Sequence, residues 1–187
     1  MFKKEIRIIG IDDSPFDKFK DSNSIVVGVV MRGGLFVDGV LSTKVAVDGD
    51  DSTKKIIEMV NKCKFKPQLQ CIFIDGIAVA GFNVIDVKKL NEKTNIPVVT
   101  VIRKMPDIVN IKKTLIKINK KDKIKLIEKA GKVVQINDIF VQLTGIDLKH
   151  AIEILKIVCT RSLIPEPLRL AHLIASGVTI GESKGRA

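Results

Sequence analysis

The order of the segments is the feature that most constrains the fold. Three strand-like stretches lie within the first 47 residues, and helical periodicity begins only afterwards. Residues 5–12 are mostly apolar and β-branched, and they end in Asp12. Residues 25–31 and 35–47 repeat the strand pattern and are joined by Arg32-Gly33-Gly34, which is a hairpin turn signal. The chain is therefore predicted to open with a three-stranded antiparallel meander.

The middle of the chain changes to a strand, helix, strand rhythm. A helix is predicted from residue 51 or 52 to near Pro67, and a second helix over residues 82–93. Residues 71–74 form a short, continuous apolar run that ends at Asp75, and residues 97–102 are similar in character. Such runs are typical of strands covered on both faces, so these two strands are predicted to be parallel and joined by a helical crossover.

Residues 103–132 carry eleven Lys or Arg against three acidic residues, a net charge of +8. Apolar residues recur at helical spacing inside this window, which predicts an amphipathic helix followed by a second short one. A solvated lysine-rich face and an anion-binding face explain the charge equally well. A hairpin is predicted over residues 133–143, helices over 147–159 and 166–176, and a flexible Gly-rich terminus over 181–186.

Composition excludes several classes of protein. The 187 residues suit one domain, 1–187, and no apolar run approaches the ~20 residues of a membrane-spanning helix, so a soluble cytoplasmic protein without membrane contact is expected. The three cysteines form no C-x-x-C pair, which argues against a disulfide framework or a thiolate zinc site. Trp and Tyr are absent, so a surface of stacked single-stranded bases is poorly supported. The formal charge of +11 favours an anionic partner.

Two carboxylates follow strand-like segments. If the first and fourth strands are neighbours, Asp12 and Asp75 lie side by side, and they repel each other unless one is protonated or a cation lies between them. Mg²⁺ would resolve the repulsion, because it takes oxygen ligands and keeps waters and substrate phosphates in its other positions. Such a site suits phosphodiester cleavage. Asp48 and Asp50 are interpreted instead as turn or cap residues.

Four segments carry a resemblance to a known family. They are Gly10-Ile11-Asp12-Asp13-Ser14-Pro15-Phe16, Asp75-Gly76, residues 97–104, and Pro165-Glu166-Pro167-Leu168-Arg169-Leu170-Ala171-His172. The chain resembles the archaeal DUF99 (UPF0215) family over nearly its whole length, and that family is similar in turn to endonuclease V. The resemblance implies an α/β, ribonuclease H-like mixed sheet, in which the antiparallel meander is followed by parallel strands and flanked by helices.

The resemblance also implies roles for particular residues. Asp12 and Asp75 match the endonuclease V metal-binding acids, and Asp51 matches an acid that opens the first helix, where endonuclease V has Glu. Lys104 matches the basic residue near the scissile phosphate, with Arg103 as the competing choice. The cofactor would be Mg²⁺ or Mn²⁺, and the nucleic acid, DNA or RNA, would contact Arg103 and Lys104 together with Lys112 and Lys113 in the basic window.

The sequence departs from the endonuclease V pattern at two points. The catalytic histidine of that family aligns with Thr144 or Gly145, neither of which titrates near neutral pH. Its aromatic wedge has no counterpart in residues 35–47, which argues against recognition of a flipped inosine. His150 is interpreted as a surface or helix-packing residue, and His172 as a packing or hydrogen-bonding one.

Three functions follow from these observations. The first is a divalent-metal-dependent nuclease that acts on or binds structured nucleic acid. The second is a relative that has lost turnover along with the histidine and only binds nucleic acid. The third is a homodimeric interaction module in which the lysine excess serves solubility and heat adaptation.

Overall fold

A mixed seven-stranded sheet organises the molecule in a computed structural model, which describes residues 2–183. Its strands, in spatial order, are β3, β2, β1, β4, β7, β9 and β8. Their bounds are β1 Arg7–Asp13, β2 Asn23–Arg32, β3 Phe36–Ala46, β4 Cys71–Asp75, β7 Val98–Ile102, β8 Val134–Ile136 and β9 Ile139–Thr144. A separate small hairpin is formed by β5 (Ala78–Val79) and β6 (Asn83–Val84).

The predicted strand directions are confirmed. β1, β2 and β3 form the antiparallel meander, while β4 pairs parallel to both β1 and β7. The predicted hairpin of β8 and β9 extends the sheet antiparallel to β7. The first strand extends one residue further than predicted, to Asp13, so two consecutive carboxylates occupy its end.

Six helices are present within residues 2–183. They are α1 Ser52–Lys62, α2 Val87–Thr94, α3 Ile108–Lys117, α4 Asp122–Lys129, α5 Leu148–Val158 and α6 Glu166–Ile180. None of them combines the length and the apolar character needed to cross a membrane. Of the predicted Gly-rich terminus, residues 184–186 lie outside the described part of the chain.

Both faces of the central strands are buried, which explains their continuous apolar sequences. Successive side chains of a strand point to opposite faces. Accordingly Ile9 and Ile11 of β1 join the apolar cluster that includes residues of α1 and α2, whereas Ile8 joins the cluster that includes residues of α5 and α6. The sheet therefore lies between two helical layers.

The prediction of a helix over residues 82–93 was wrong in its first part, since α2 begins only at Val87. Asn83 is fully buried, and its side chain donates to Ala46 O and to the Asp51 carboxylate at 2.9 and 2.8 Å. Asp86 then caps α2 by accepting from the backbone N–H of Lys89. Long-range hydrogen bonds thus hold residues 82–86 outside the helix.

The α4 helix is attached to the loop between β3 and α1 by a buried lysine. Lys123 is 2% exposed, and its ammonium contacts Asp50 Oδ1 at 2.6 Å, Phe82 O at 2.7 Å and Gly49 O. Lys120 of the preceding turn donates to Asp48 O. These two lysines of the basic window therefore point toward protein oxygens instead of toward an external anion.

The substitution Lys123→Met is expected to lower the free energy of unfolding by about 1–3 kcal/mol, because the partly buried carbonyls of Gly49 and Phe82 lose their donor. Denaturant unfolding measures the loss, and hydrogen exchange of residues 47–51 would show the loop opening. Lys125→Met is the matched control, since Lys125 lies exposed on the same helix. Equal stability of the two variants would contradict a stabilising role for the Lys123 contacts.

Candidate active site

Two carboxylates meet at the carboxyl ends of neighbouring parallel strands. β1 and β4 are paired, with Ile11 opposite Ile74, so the residues that follow, Asp12 and Asp75, are adjacent. This confirms the strand adjacency on which the predicted acidic pair depended. Asp12 is only 6% exposed, whereas Asp75 is partly open to solvent.

Burial and neighbouring negative charge favour the protonated form of Asp12. Burial is the largest cause that raises its pKa to about 8, followed by the charges of Asp75 and Asp13. The backbone N–H of Asp13, 2.9 Å from Asp12 Oδ1, and the charge of Arg103 lower this pKa without reversing the shift. A negative charge on Asp12 is therefore unfavourable unless a cation binds beside it.

Asp13 points to the opposite face of the strand. Its Oδ2 accepts a hydrogen bond of 2.8 Å from the backbone N–H of Ala80, in the loop between β5 and β6. Burial is the main cause that raises its pKa as well. No role was predicted for Asp13 from the sequence, although two consecutive Asp residues occur at this point of the chain.

Two cationic or polar side chains from other elements contact the acidic pair. Arg103 follows β7, and its Nη2 lies 2.8 Å from Asp75 Oδ2. His172 of α6 lies with Nδ1 3.0 Å from Asp12 Oδ2. Its Nε2 is buried and has no hydrogen-bond partner among the residues that the structure describes.

A close helix crossing brings His172 to the site. The N-terminal turn of α6 lies against β1 at Gly10, where a Cβ atom would come within 2.3 Å of the Pro167 carbonyl carbon. The helix then continues along the strand toward its carboxyl end, where His172 meets Asp12. The sequence interpretation of His172 as a packing or hydrogen-bonding residue agrees with this contact, but its partner could not be identified from the sequence.

The positions aligned with the endonuclease V histidine lie elsewhere. Thr144 pairs with Val98 at the start of β7, which is the end of the sheet opposite to Asp75. Gly145 follows it and lies against the side chain of Asn91 in α2. A titratable side chain at either position would be remote from the acids, whereas His172 contacts one of them.

The other predicted site residues have different surroundings. Asp51 precedes α1, and its Oδ1 accepts from Ala46 N at 3.1 Å and from the Asn83 side chain. Lys104 is exposed beside Arg103, and Lys113 is exposed on α3. Lys112 pairs with Glu128 of α4 at 2.6 Å. Within residues 2–183, no three His, Cys, Asp or Glu side chains form a group that could hold a metal ion.

The pKa of Asp12 gives an expected pH dependence for the metal-free protein. Because this carboxyl has a folded-state pKa of about 8 against an ordinary value of 3.8, the folded state retains a proton between pH 5 and 8 that the unfolded chain has lost. Stability should therefore fall as pH rises from 5 to 8. Asp12→Asn, which carries no charge, is expected to reduce that fall by roughly 1–2 kcal/mol.

Urea unfolding at pH 5 and pH 8, with EDTA present, measures this effect. Asp138→Asn is the matched control, since Asp138 is exposed in the turn between β8 and β9. A decline in stability that is as steep in Asp12→Asn as in the wild type would contradict the assignment of the proton to Asp12.

Comparison with known proteins identifies the family of this chain. A family model described as endonuclease dU matches residues 4–179. The chain belongs to the endonuclease dU family. It is 48% identical to a UPF0215 protein of Methanothermobacter thermautotrophicus over 190 residues, which covers 99% of this chain and 93% of the relative. The resemblance to UPF0215 proteins is therefore confirmed.

Solved structures show the fold of this member of the endonuclease dU family. A protein of unknown function from Archaeoglobus fulgidus superimposes with a TM-score of 0.86 at 39% identity, covering 92% of this chain and 97% of that chain. Endonuclease V of Ciona intestinalis, in complex with a 24mer DNA containing an inosine followed by a ribo-adenosine, gives a TM-score of 0.55 at 20% identity. That match covers 88% of this chain and 82% of the endonuclease. The predicted ribonuclease H-like fold is confirmed.

Proposed function

We propose that this protein is a divalent-metal-dependent nuclease that cleaves phosphodiester bonds in structured nucleic acid. One observation carries the proposal: two adjacent carboxyl groups, the buried Asp12 and the partly exposed Asp75, at neighbouring strand ends of an endonuclease V-like fold. Two close carboxylates are unfavourable together unless a proton or a cation lies between them. The name of the family, endonuclease dU, points to the same class of reaction.

The available donors fit Mg²⁺ or Mn²⁺ with waters among its ligands better than a metal ion held by protein side chains alone. Asp12 and Asp75 supply carboxylate oxygens, and the described residues offer no cluster of three metal-binding side chains. Mg²⁺ is commonly held by one or two carboxylates, with waters and substrate phosphates as its remaining ligands. Asp51 keeps its proposed assisting role only through its position before α1, since its contacts are to Ala46 and Asn83.

Each part of the site has a task in this reaction. A bound divalent cation would lower the pKa of the attacking water and neutralise charge on the leaving oxygen. Lys104 would stabilise charge on the phosphate, and the exposed lysines of α3 and α4, including Lys113, would hold the backbone electrostatically. His172 would orient the Asp12 carboxylate through the contact at 3.0 Å.

The contact between His172 and Asp12 favours the nuclease over a relative that only binds nucleic acid. Loss of turnover was inferred because positions 144 and 145 carry no histidine. Those positions lie at the end of the sheet opposite to Asp75. A histidine is nevertheless adjacent to the acids, because α6 supplies it from a different element.

Product analysis on labelled oligonucleotides tests the proposal. The panel would contain single-stranded, duplex and hairpin DNA and RNA, with deoxyuridine or inosine at one position, each incubated with Mg²⁺, Mn²⁺ or EDTA. We expect products that require the metal. Salt-sensitive binding without products would support the binding protein instead, and absence of both would contradict any nucleic-acid function.

A further inference from the structure

Arg103 is the cation that contacts the acidic pair, through Asp75. Its Nη2 lies 2.8 Å from Asp75 Oδ2, and its charge also acts on Asp12, whose pKa it lowers. The arginine side chain is 36% exposed, against 20% for Asp75, although its Nε is buried. The guanidinium is thus the positive group that opposes the acidic pair in the protein without metal.

A divalent cation and this guanidinium would compete for the same carboxylate. Both are positive, and both use oxygens of Asp75. Two positive charges a few ångströms apart repel each other, and the double charge of a divalent ion increases that repulsion. Partly exposed ion pairs contribute little net stability, so a divalent cation can compete with the arginine for Asp75.

We propose that Arg103 is an exchangeable counter-cation: it holds Asp75 in the metal-free protein, leaves when a divalent metal binds, and then contacts a phosphate of the nucleic acid. This inference rests on the proposed function, because it assumes the metal site at Asp12 and Asp75. A released guanidinium group can bind a phosphate through two parallel hydrogen bonds. Metal and nucleic acid would therefore strengthen each other's binding by the same factor.

The position of Arg103 in the chain makes the exchange feasible. It is the first residue after β7, whose neighbour β4 ends at Asp75. Movement of its side chain therefore requires no change in the sheet. Lys104 follows it and is already exposed, so the released Arg103 would add a second cation at the same edge.

Metal affinity is the readout that does not depend on turnover. Isothermal titration with Mn²⁺ would compare the wild type with Arg103→Gln and Arg103→Lys. We expect the Gln variant to bind Mn²⁺ about 10-fold more tightly, because one opposing charge is removed. Arg103→Lys keeps the charge and should remain within about 2-fold of the wild type. Lys149→Gln is the control for a lost positive charge, since Lys149 is exposed at the start of α5.

Linkage to nucleic acid provides the second measurement. The affinity of an uncleaved hairpin oligonucleotide would be measured in EDTA and in Ca²⁺, which also takes oxygen ligands. Wild-type protein should gain affinity with the metal, and the gain should shrink at least about 3-fold in Arg103→Gln, since coupling of this size is typical of linked sites.

The outcomes separate this inference from the proposed function. Equal Mn²⁺ affinity in the wild type and Arg103→Gln would overturn the exchange while leaving the metal site intact. No Mn²⁺ binding by any variant would overturn both the exchange and the proposed metal-dependent nuclease. Tighter binding by Arg103→Gln together with an unchanged linkage to nucleic acid would overturn the phosphate contact.

Discussion

Replacing Asp12 or Asp75 by alanine is expected to lower the rate of metal-dependent cleavage by at least about 1,000-fold, because each change removes a carboxylate from the only acidic pair proposed to hold the cation. Nucleic-acid affinity in EDTA should not fall, since the lysines of α3 and α4 remain. Cleavage rates under single-turnover conditions, with binding measured in parallel, separate the two effects. Both variants should lose Mn²⁺ binding as well as cleavage.

The matched control is Asp138→Ala, which removes an exposed carboxylate from a hairpin turn and should leave cleavage unchanged. Folding must be checked, because Asp12 is buried and contacts His172. Asp12→Asn preserves the shape of the side chain and should be as inactive as Asp12→Ala. Cleavage at the wild-type rate by a folded Asp75→Ala protein would contradict the assignment of the metal site.

The substitution Gly10→Ala is expected to cost more than about 3 kcal/mol of stability, an effect larger than most single core changes. The added Cβ would lie 2.3 Å from the Pro167 carbonyl carbon and 2.4 Å from the Leu168 nitrogen. Both are backbone atoms, so no side-chain rotation relieves the overlap. Either β1 or the start of α6 must move, and His172 would then move away from Asp12.

Gly177→Ala is the control for this prediction. Gly177 lies inside α6, and among residues 2–183 an added Cβ there would meet only Ser183 Oγ, at 3.4 Å, outside the helix's own backbone. Because alanine is a better helix former than glycine, this variant should gain up to about 1 kcal/mol. Denaturant unfolding of both variants makes the comparison, and a Gly10→Ala protein as stable as the wild type would show that the crossing of α6 over β1 is not tightly packed.

Local patterns were sufficient to predict much of the sheet. The alternating apolar residues before Asp12 and the short apolar run before Asp75 fix two buried strands, and the turn at Arg32-Gly33-Gly34 fixes the first hairpin. Since neighbouring parallel strands end at one edge, the two acids were predicted to meet if the first and fourth strands were neighbours, and the pairing of β1 with β4 shows that they are. The helix boundary before α2 was wrong because a buried side chain, Asn83, competes with local helical propensity.

The basic window shows where sequence reasoning reaches its limit. Charge and helical spacing predicted α3 and α4 but not which lysines face outward. Lys123 is buried against carbonyl oxygens and Asp50, whereas Lys113 is exposed. The direction of each lysine depends on how the helix packs against the rest of the protein, and the sequence of the helix does not encode that on its own.

The sequence by itself determined the succession of strands along the chain, the two acids at strand ends and the excess of positive charge, because these depend on residue periodicity and on composition. Only the tertiary structure decided which groups surround the acids. Arg103 reaches Asp75 through the pairing of β4 with β7, and His172 reaches Asp12 across 160 residues of chain, where α6 crosses Gly10. Contacts between residues so distant in sequence arise from packing between elements, which no local pattern records.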